Sequence, residues 1–214
     1  MDVMGRITEY IENADRCMPI LSDDIYKYVN DNIPGVKKNI INEYITRYSA
    51  KNPDFIRYQK GIYYKTVVTP FGKAGINYSA LVRRTYITDG TDVYGYETGP
   101  SLMNRIGLTT QLPTHTYLAT EHLRRSVGVT KDNLILTKPI TSINRDNYRY
   151  LQLLDMLDNK LNVKFEADNH LEILRSFINK YKLDFELLLC YARFYKNKDI
   201  FARIAELARG KNEI

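Results

Sequence analysis

The sequence predicts an α+β protein: an N-terminal helix-and-hairpin module, an α+β region and a helical C-terminal segment. Three observations carry this. The first 65 residues hold three helix-spaced apolar segments followed by two β-rich runs around a glycine. Periodicity is mixed from Thr66 to Thr141, and helix-spaced apolar residues recur from Asn144 onward. The length of 214 residues suits one large domain or two small ones. With 44% apolar and 26% charged residues, a disordered tail, a collagen-like repeat and a disulfide scaffold are excluded.

Each element follows from local chemistry. Ile7, Tyr10, Ile11 and Ala14 recur at helical spacing and predict a helix from Val3 to Ala14. Pro19 breaks that pattern. Ser22 is expected as the N-cap of a second helix, with Asp23 and Asp24 favoured by the dipole of its first turn. That helix carries Ile25, Tyr28 and Val29 inward and ends near Asn32, because Pro34-Gly35 cannot continue it. A third helix is expected from Val36 to Ser49, with Ile40, Ile41, Tyr44, Ile45 and Tyr48 as its apolar stripe. Phe55 to Tyr58 and Ile62 to Lys65, either side of Gln59-Lys60-Gly61, predict a hairpin. Three helices and a terminal hairpin in this order describe a winged helix-turn-helix over residues 1–66. Residues 67–214 form the second domain.

In that second part, helices are expected at Ile76 to Tyr86 and Pro100 to Ile106, the latter stopped by Gly107. Thr116 to Ala119 and Leu134 to Leu136 are strand candidates. Asn144 is expected to cap a helix carrying Tyr148, Leu151, Leu154 and Leu157. Helices over Asn169 to Tyr181, Asp184 to Tyr195 and Lys198 to Arg209 complete the chain, with Asp184 and Asn197 as caps and Gly210 as a stop.

Charge is distributed unevenly. Residues 1–35 carry 3 basic and 7 acidic side chains, a net of −4, whereas residues 36–65 carry 7 basic and 2 acidic, a net of +5. A basic segment beside an acidic one is the footprint of a nucleic-acid reader. On the third helix, a turn of about 100° per residue leaves Asn39, Asn42 and Thr46 opposite the apolar stripe, with Lys37 and Lys38 at the start. Amides suit adenine edges and lysines suit phosphates. Arg57, Gln59 and Lys60 on the hairpin would meet backbone or minor groove. These eight residues are the candidate DNA-binding set, with protein contact by the same face as the alternative.

Other chemistry finds little support. His115, His122 and His170 lack metal-ligand spacing, and no serine sits in a nucleophile elbow or triad. Asp89, Asp92 and Glu97 cluster with Gly90 and Gly95, as turn residues do. Cys17 and Cys190 are too far apart for a metal motif and are expected as buried small residues in helices. No catalytic residue, metal or cofactor is assigned. No apolar run approaches the roughly 20 residues that span a bilayer, and MDVMGRITEYIENADR lacks the features of a secretory signal. A cytoplasmic protein without a membrane partner is expected.

A run of short motifs carries a resemblance. Lys60-Gly61-Ile62-Tyr63-Tyr64 and Pro70-Phe71-Gly72 are followed by Gly95, Gly99, Asn104 and Gly107-Leu108-Thr109-Thr110-Gln111, then Pro113. In this order they resemble the AbiEi-type antitoxins over about residues 1–160. The resemblance implies a non-enzymatic protein of a bacterial toxin–antitoxin, phage-defence operon. Its N-terminal domain would bind double-stranded DNA at its own promoter as a transcriptional repressor. Its C-terminal domain would neutralise a cognate nucleotidyltransferase-like toxin. The alternative is a protein-interaction module whose winged helix does not read DNA.

Overall fold

A computed structural model describes residues 2–123, 127–129, 133–165 and 168–209. The fold is α+β and divides into two compact units, Met1–Arg84 and Thr85–Ile214.

The N-terminal unit opens with α1 (Val3–Asn13), capped by the Asp2 carboxylate, which accepts from Gly5 N at 2.7 Å. Strand β1 (Ile20–Leu21) leads into α2 (Ser22–Asn32), a tight turn, and α3 (Lys38–Lys51). Strands β2 (Phe55–Gln59) and β3 (Ile62–Lys65) follow, and the sheet order is β1-β3-β2, antiparallel throughout. Ile7, Ile11, Ile25, Val29, Ile41 and Ile45 from the three helices meet Ile20, Phe55 and Tyr63 in one buried core. A small hairpin, β4 (Val68–Thr69) and β5 (Gly72–Lys73), holds Phe71 fully exposed at its tip. Helix α4 (Tyr78–Tyr86) comes next, and the division between the units falls in its last turn.

Three expectations here need correction. Ser22 is not a cap: it is the first residue of α2, buried, and the Leu21 cap makes no side-chain bond. Its N–H is taken by Gly61 O at 2.9 Å, because pairing of β1 with β3 brings the hairpin turn against the helix start. Ile40 is 49% exposed. The core-facing arc is already filled by Ile41, Tyr44, Ile45 and Tyr48, and Ile40 turns out of it. Cys17 is half-buried in a turn, not a helix, with a left-handed φ of 62°. Its N–H donates to Lys65 O and its carbonyl accepts from Asn77 N, both at 2.6 Å.

In the C-terminal unit, β6 (Gly95–Thr98) pairs antiparallel with β7 (Thr116–Thr120), with α5 (Gly99–Arg105) between them in sequence. Strand β7 pairs in parallel with β9 (Leu134–Thr137), and β8 (Val127–Val129) closes the order β6-β7-β9-β8. Helix α6 (Tyr148–Asp158) is buried on nearly every side. Leu151 packs with Tyr96, Ala119 and Ile143 on the sheet side. Leu153, Leu154, Met156 and Leu157 join the core of α7 (His170–Tyr181), α8 (Phe185–Ala192) and α9 (Asp199–Arg209). At the centre, the Asp155 carboxylate accepts from Tyr195 Oη at 2.6 Å, Thr98 Oγ1 at 2.9 Å and Tyr96 Oη at 3.1 Å.

Several local expectations hold. Asp184 caps α8 by accepting from Leu187 N at 2.9 Å, and Gly107 ends the α5 region with φ of 85°. Asn144 does not cap α6 directly. It accepts from Asp146 N and Asn147 N, forming the turn before the helix. Asp89 is a turn residue, accepting from Thr91 N and Asp92 N, but Glu97 lies in β6 and pairs with Arg105 at 2.6 Å. Cys190 is exposed on α8, because Leu188 and Ala192 take the inward positions. Gly210 lies outside the described residues.

Candidate nucleic-acid interface

The connection between α2 and α3 is built by one side chain. Asn30 donates to Tyr26 O and Val36 O and accepts from Gly35 N at 3.2 Å, while Gly35 takes φ of 87°. Pro34 and Gly35 therefore turn the chain within a few residues, and α3 starts with its end open to solvent. Lys37 occupies the cap position without a side-chain bond, and Asn39 Oδ1 accepts from Ile40 N at 3.0 Å. Unpaired N–H groups at such an end favour anions.

All eight candidate residues are exposed. Lys37, Lys38, Asn39, Asn42 and Thr46 belong to the start and outer face of α3, with the Thr46 hydroxyl bonded back to Asn42 O at 2.8 Å. Arg57, Gln59 and Lys60 belong to the hairpin. The first turn of α2 joins the two groups. Asp23 forms an ion pair with Lys38 at 2.5 Å, and the adjacent Ser22 N is bonded to Gly61 O. A Cβ on Gly61, whose φ is 79°, would lie 3.2 Å from Ser22 Oγ, so a residue without a side chain suits this contact.

Three features of this face are not visible in sequence. The register of β2 on β3 skips between Arg57 and Gln59, and the irregularity leaves Tyr58 exposed beside Arg57. Arg47 pairs with Glu43 at 2.5 Å across one helical turn, so part of the positive charge is already answered. Ile40 adds an apolar surface next to Asn39. The inner face of α3 is anchored by Tyr44, whose hydroxyl lies 2.7 Å from Thr8 Oγ1, and by Tyr48, whose hydroxyl pKa is raised chiefly by burial.

The histidines form no common site. His115 lies 2.8 Å from Thr114 Oγ1, and His122 stacks on Tyr94 with 3.9 Å between ring centres. His170 packs against Phe165. Among the described residues no group of three or more His, Cys, Asp or Glu stands together to hold a metal ion. Among them, too, no helix is long and apolar enough to cross a membrane. The chain matches no protein-family model and no curated protein.

Proposed function

We propose that this chain is a DNA-binding repressor and antitoxin of a bacterial toxin–antitoxin operon, its N-terminal unit a winged helix. One observation carries the DNA-binding part. The outer face of α3, with Lys37, Lys38, Asn39, Asn42 and Thr46, is joined through Asp23 and Ser22 to the hairpin bearing Arg57, Gln59 and Lys60. The order α1-β1-α2-α3-β2-β3, with sheet order β1-β3-β2, supports the winged-helix reading. In such proteins the second helix of the helix-turn-helix enters the major groove and its first half meets the bases. Ile40 supplies an apolar group for a thymine methyl, and Asn39 or Asn42 an amide for adenine. The antitoxin part rests on the resemblance to the AbiEi-type family.

Binding to the DNA upstream of the chain's own reading frame, measured across a salt series, tests this directly. Neutralising Lys37, Lys38, Arg57 and Lys60 together should flatten the log–log salt dependence by roughly 0.9 for each phosphate that is no longer neutralised. Lys38, already held by Asp23, should contribute least. An unchanged slope in the quadruple variant would show that phosphates are met elsewhere.

A separate prediction distinguishes specificity from positioning. Asn39→Ala or Asn42→Ala should reduce discrimination between promoter and random DNA by about 1–3 kcal/mol. An equal weakening on both DNAs would assign these amides to positioning alone. The pairing of Lys38 with Asp23 and Arg47 with Glu43 favours one second reading, a protein-contact surface of mixed charge. Absence of any promoter shift, with retained protection against the product of a neighbouring nucleotidyltransferase-like gene, would select it.

A further inference from the structure

The C-terminal unit contains a cleft of about 490 Å³, within the range of small-molecule sites. Met103, Tyr117, Ile135, Leu161 and Val163 give it an apolar wall. Two carboxylates and two lysines, Lys138 and Lys160, reach its lining, and the carboxylates differ. Asp155 is satisfied by the hydroxyls of Tyr96, Thr98 and Tyr195. Asp158, at the last residue of α6, is not. Its side chain is only 5% exposed, and its Oδ2 is buried without a hydrogen-bond partner.

Lys160 places its Nζ 3.3 Å from that oxygen without a hydrogen bond to it, and 5.9 Å from the centre of the Tyr195 ring. The Lys160 side chain is 70% exposed, on a flexible stem that water can reclaim at little cost. Asp158 also sits at the negative end of the α6 dipole, which disfavours a lone carboxylate and favours a cation beside it. The backbone around it is fixed: Asn159 takes a left-handed conformation, and its side chain bonds both Val163 N and Val163 O. A buried acceptor without a hydrogen-bond donor, an apolar wall and a neighbouring ammonium that is 70% exposed together describe a site for one ligand class.

We propose that this cleft binds a small organic cation: an apolar body ending in an ammonium, amidinium or guanidinium group. Its N–H groups donate to Asp158 Oδ2 and displace the Lys160 ammonium into solvent, while Met103, Tyr117 and Leu161 cover the body. The site is independent of the DNA-binding reading.

The test uses the full chain with ¹³C-methyl-labelled methionine, the Met103 signal being identified by its loss in Met103→Leu. Benzamidinium is the probe, and benzoate, of the same shape and opposite charge, is its control. Benzamidinium should shift the Met103 methyl saturably and benzoate should not. Asp158→Asn should weaken benzamidinium binding by roughly tenfold, the scale of one charge-assisted hydrogen bond. Lys160→Ala, at an exposed position, should tighten it by removing the competing ammonium. This variant decides the matter if Asp158→Asn does not fold. Equal binding of benzoate, unchanged affinity in Asp158→Asn, unchanged or weaker affinity in Lys160→Ala, or no saturable shift at millimolar benzamidinium would each overturn the proposal.

Discussion

An Asp155→Ala variant is expected to lose on the order of 3–5 kcal/mol of stability in the C-terminal unit. The substitution removes the acceptor of the buried Tyr96 and Thr98 hydroxyls and leaves Tyr195 Oη only its longer bond to Leu151 O. Asp155→Asn should cost much less. An amide nitrogen in place of Oδ1 can donate to Tyr195 Oη, whose own proton can turn to Leu151 O, 3.4 Å away. The pair of variants also separates charge from hydrogen bonding. Burial raises the Asp155 pKa above its ordinary 3.8, outweighing the hydroxyls of Tyr195, Thr98 and Tyr96 and the charge of Lys160, which lower it. The folded chain therefore holds this proton more tightly than the unfolded chain. The resulting stability is full below the unfolded pKa and is lost as pH rises through the higher folded value. Stability of the unaltered chain relative to Asp155→Asn should thus decline as pH rises above about 4, the ordinary aspartate value. A difference that grew with pH would mean that the hydrogen bonds outweigh burial. Denaturant unfolding at several pH values supplies the measurement.

Gly95→Ala is expected to be nearly as damaging, for a reason of pure geometry. A Cβ on Gly95 would stand 1.9 Å from Tyr86 O and 2.9 Å from Ala119 O, both backbone atoms that no rotamer change can move. The Gly95 N–H donates to Ile87 O at 3.1 Å, and the residue pairs with Thr120 on β7. Relief would have to separate the end of α4 from β6. The expected cost is about 3 kcal/mol or more, corresponding to roughly 10 °C in the melting of this unit. Calorimetry would check it, and a shift of a degree or two would show that the backbone yields easily. Gly90→Ala and Gly75→Ala provide comparison, since a Cβ at either would meet nothing within 4 Å. The φ of 98° at Gly90 makes Gly75 the cleaner control.

Most helices could be read from the sequence because their signals are local. The spacing of Ile7 and Ile11, the Pro34-Gly35 stop and the Asp184 cap need no knowledge of the rest of the chain. The two-residue strands could not be read. Ile20-Leu21 and Val68-Thr69 are too short to show alternation, and they are strands only because a partner segment lies alongside. Ile40 shows the limit of an apolar pattern, since helical angle puts it at the edge of the stripe, about 40° from Tyr44, and only the packing leaves it 49% exposed. The exposure of Asn39, Asn42 and Thr46 followed from helical angle, and that of Arg57, Gln59 and Lys60 from their place on the hairpin. Their linkage through Asp23 and Ser22 did not, because it depends on the meeting of β1, β3 and the start of α2. The cleft at Asp158 was equally invisible, being assembled from Met103 on α5, Tyr117 on β7 and Val163 in the loop after α6.

The turn at Cys17 bears on how the N-terminal unit comes apart. A non-glycine residue in a left-handed conformation persists only where its surroundings hold it. Here the holding groups are Lys65 O at the end of β3 and Asn77 N just before α4. The stretch that follows Lys65 is fastened as well: Thr66 Oγ1 donates to Ala74 O at 2.7 Å, Lys73 Nζ reaches Pro53 O, and Arg84 on α4 pairs with Asp24. The turn therefore ties the α1–β1 connection to the end of the sheet and to the approach to α4. Residues 66–84 lie in the same compact unit as the three helices. A chain cut after Thr66 would remove Asn77, Ala74 and Arg84, which bond the Cys17 carbonyl, the Thr66 hydroxyl and the Asp24 carboxylate, and would leave the Cys17 turn held by Lys65 O.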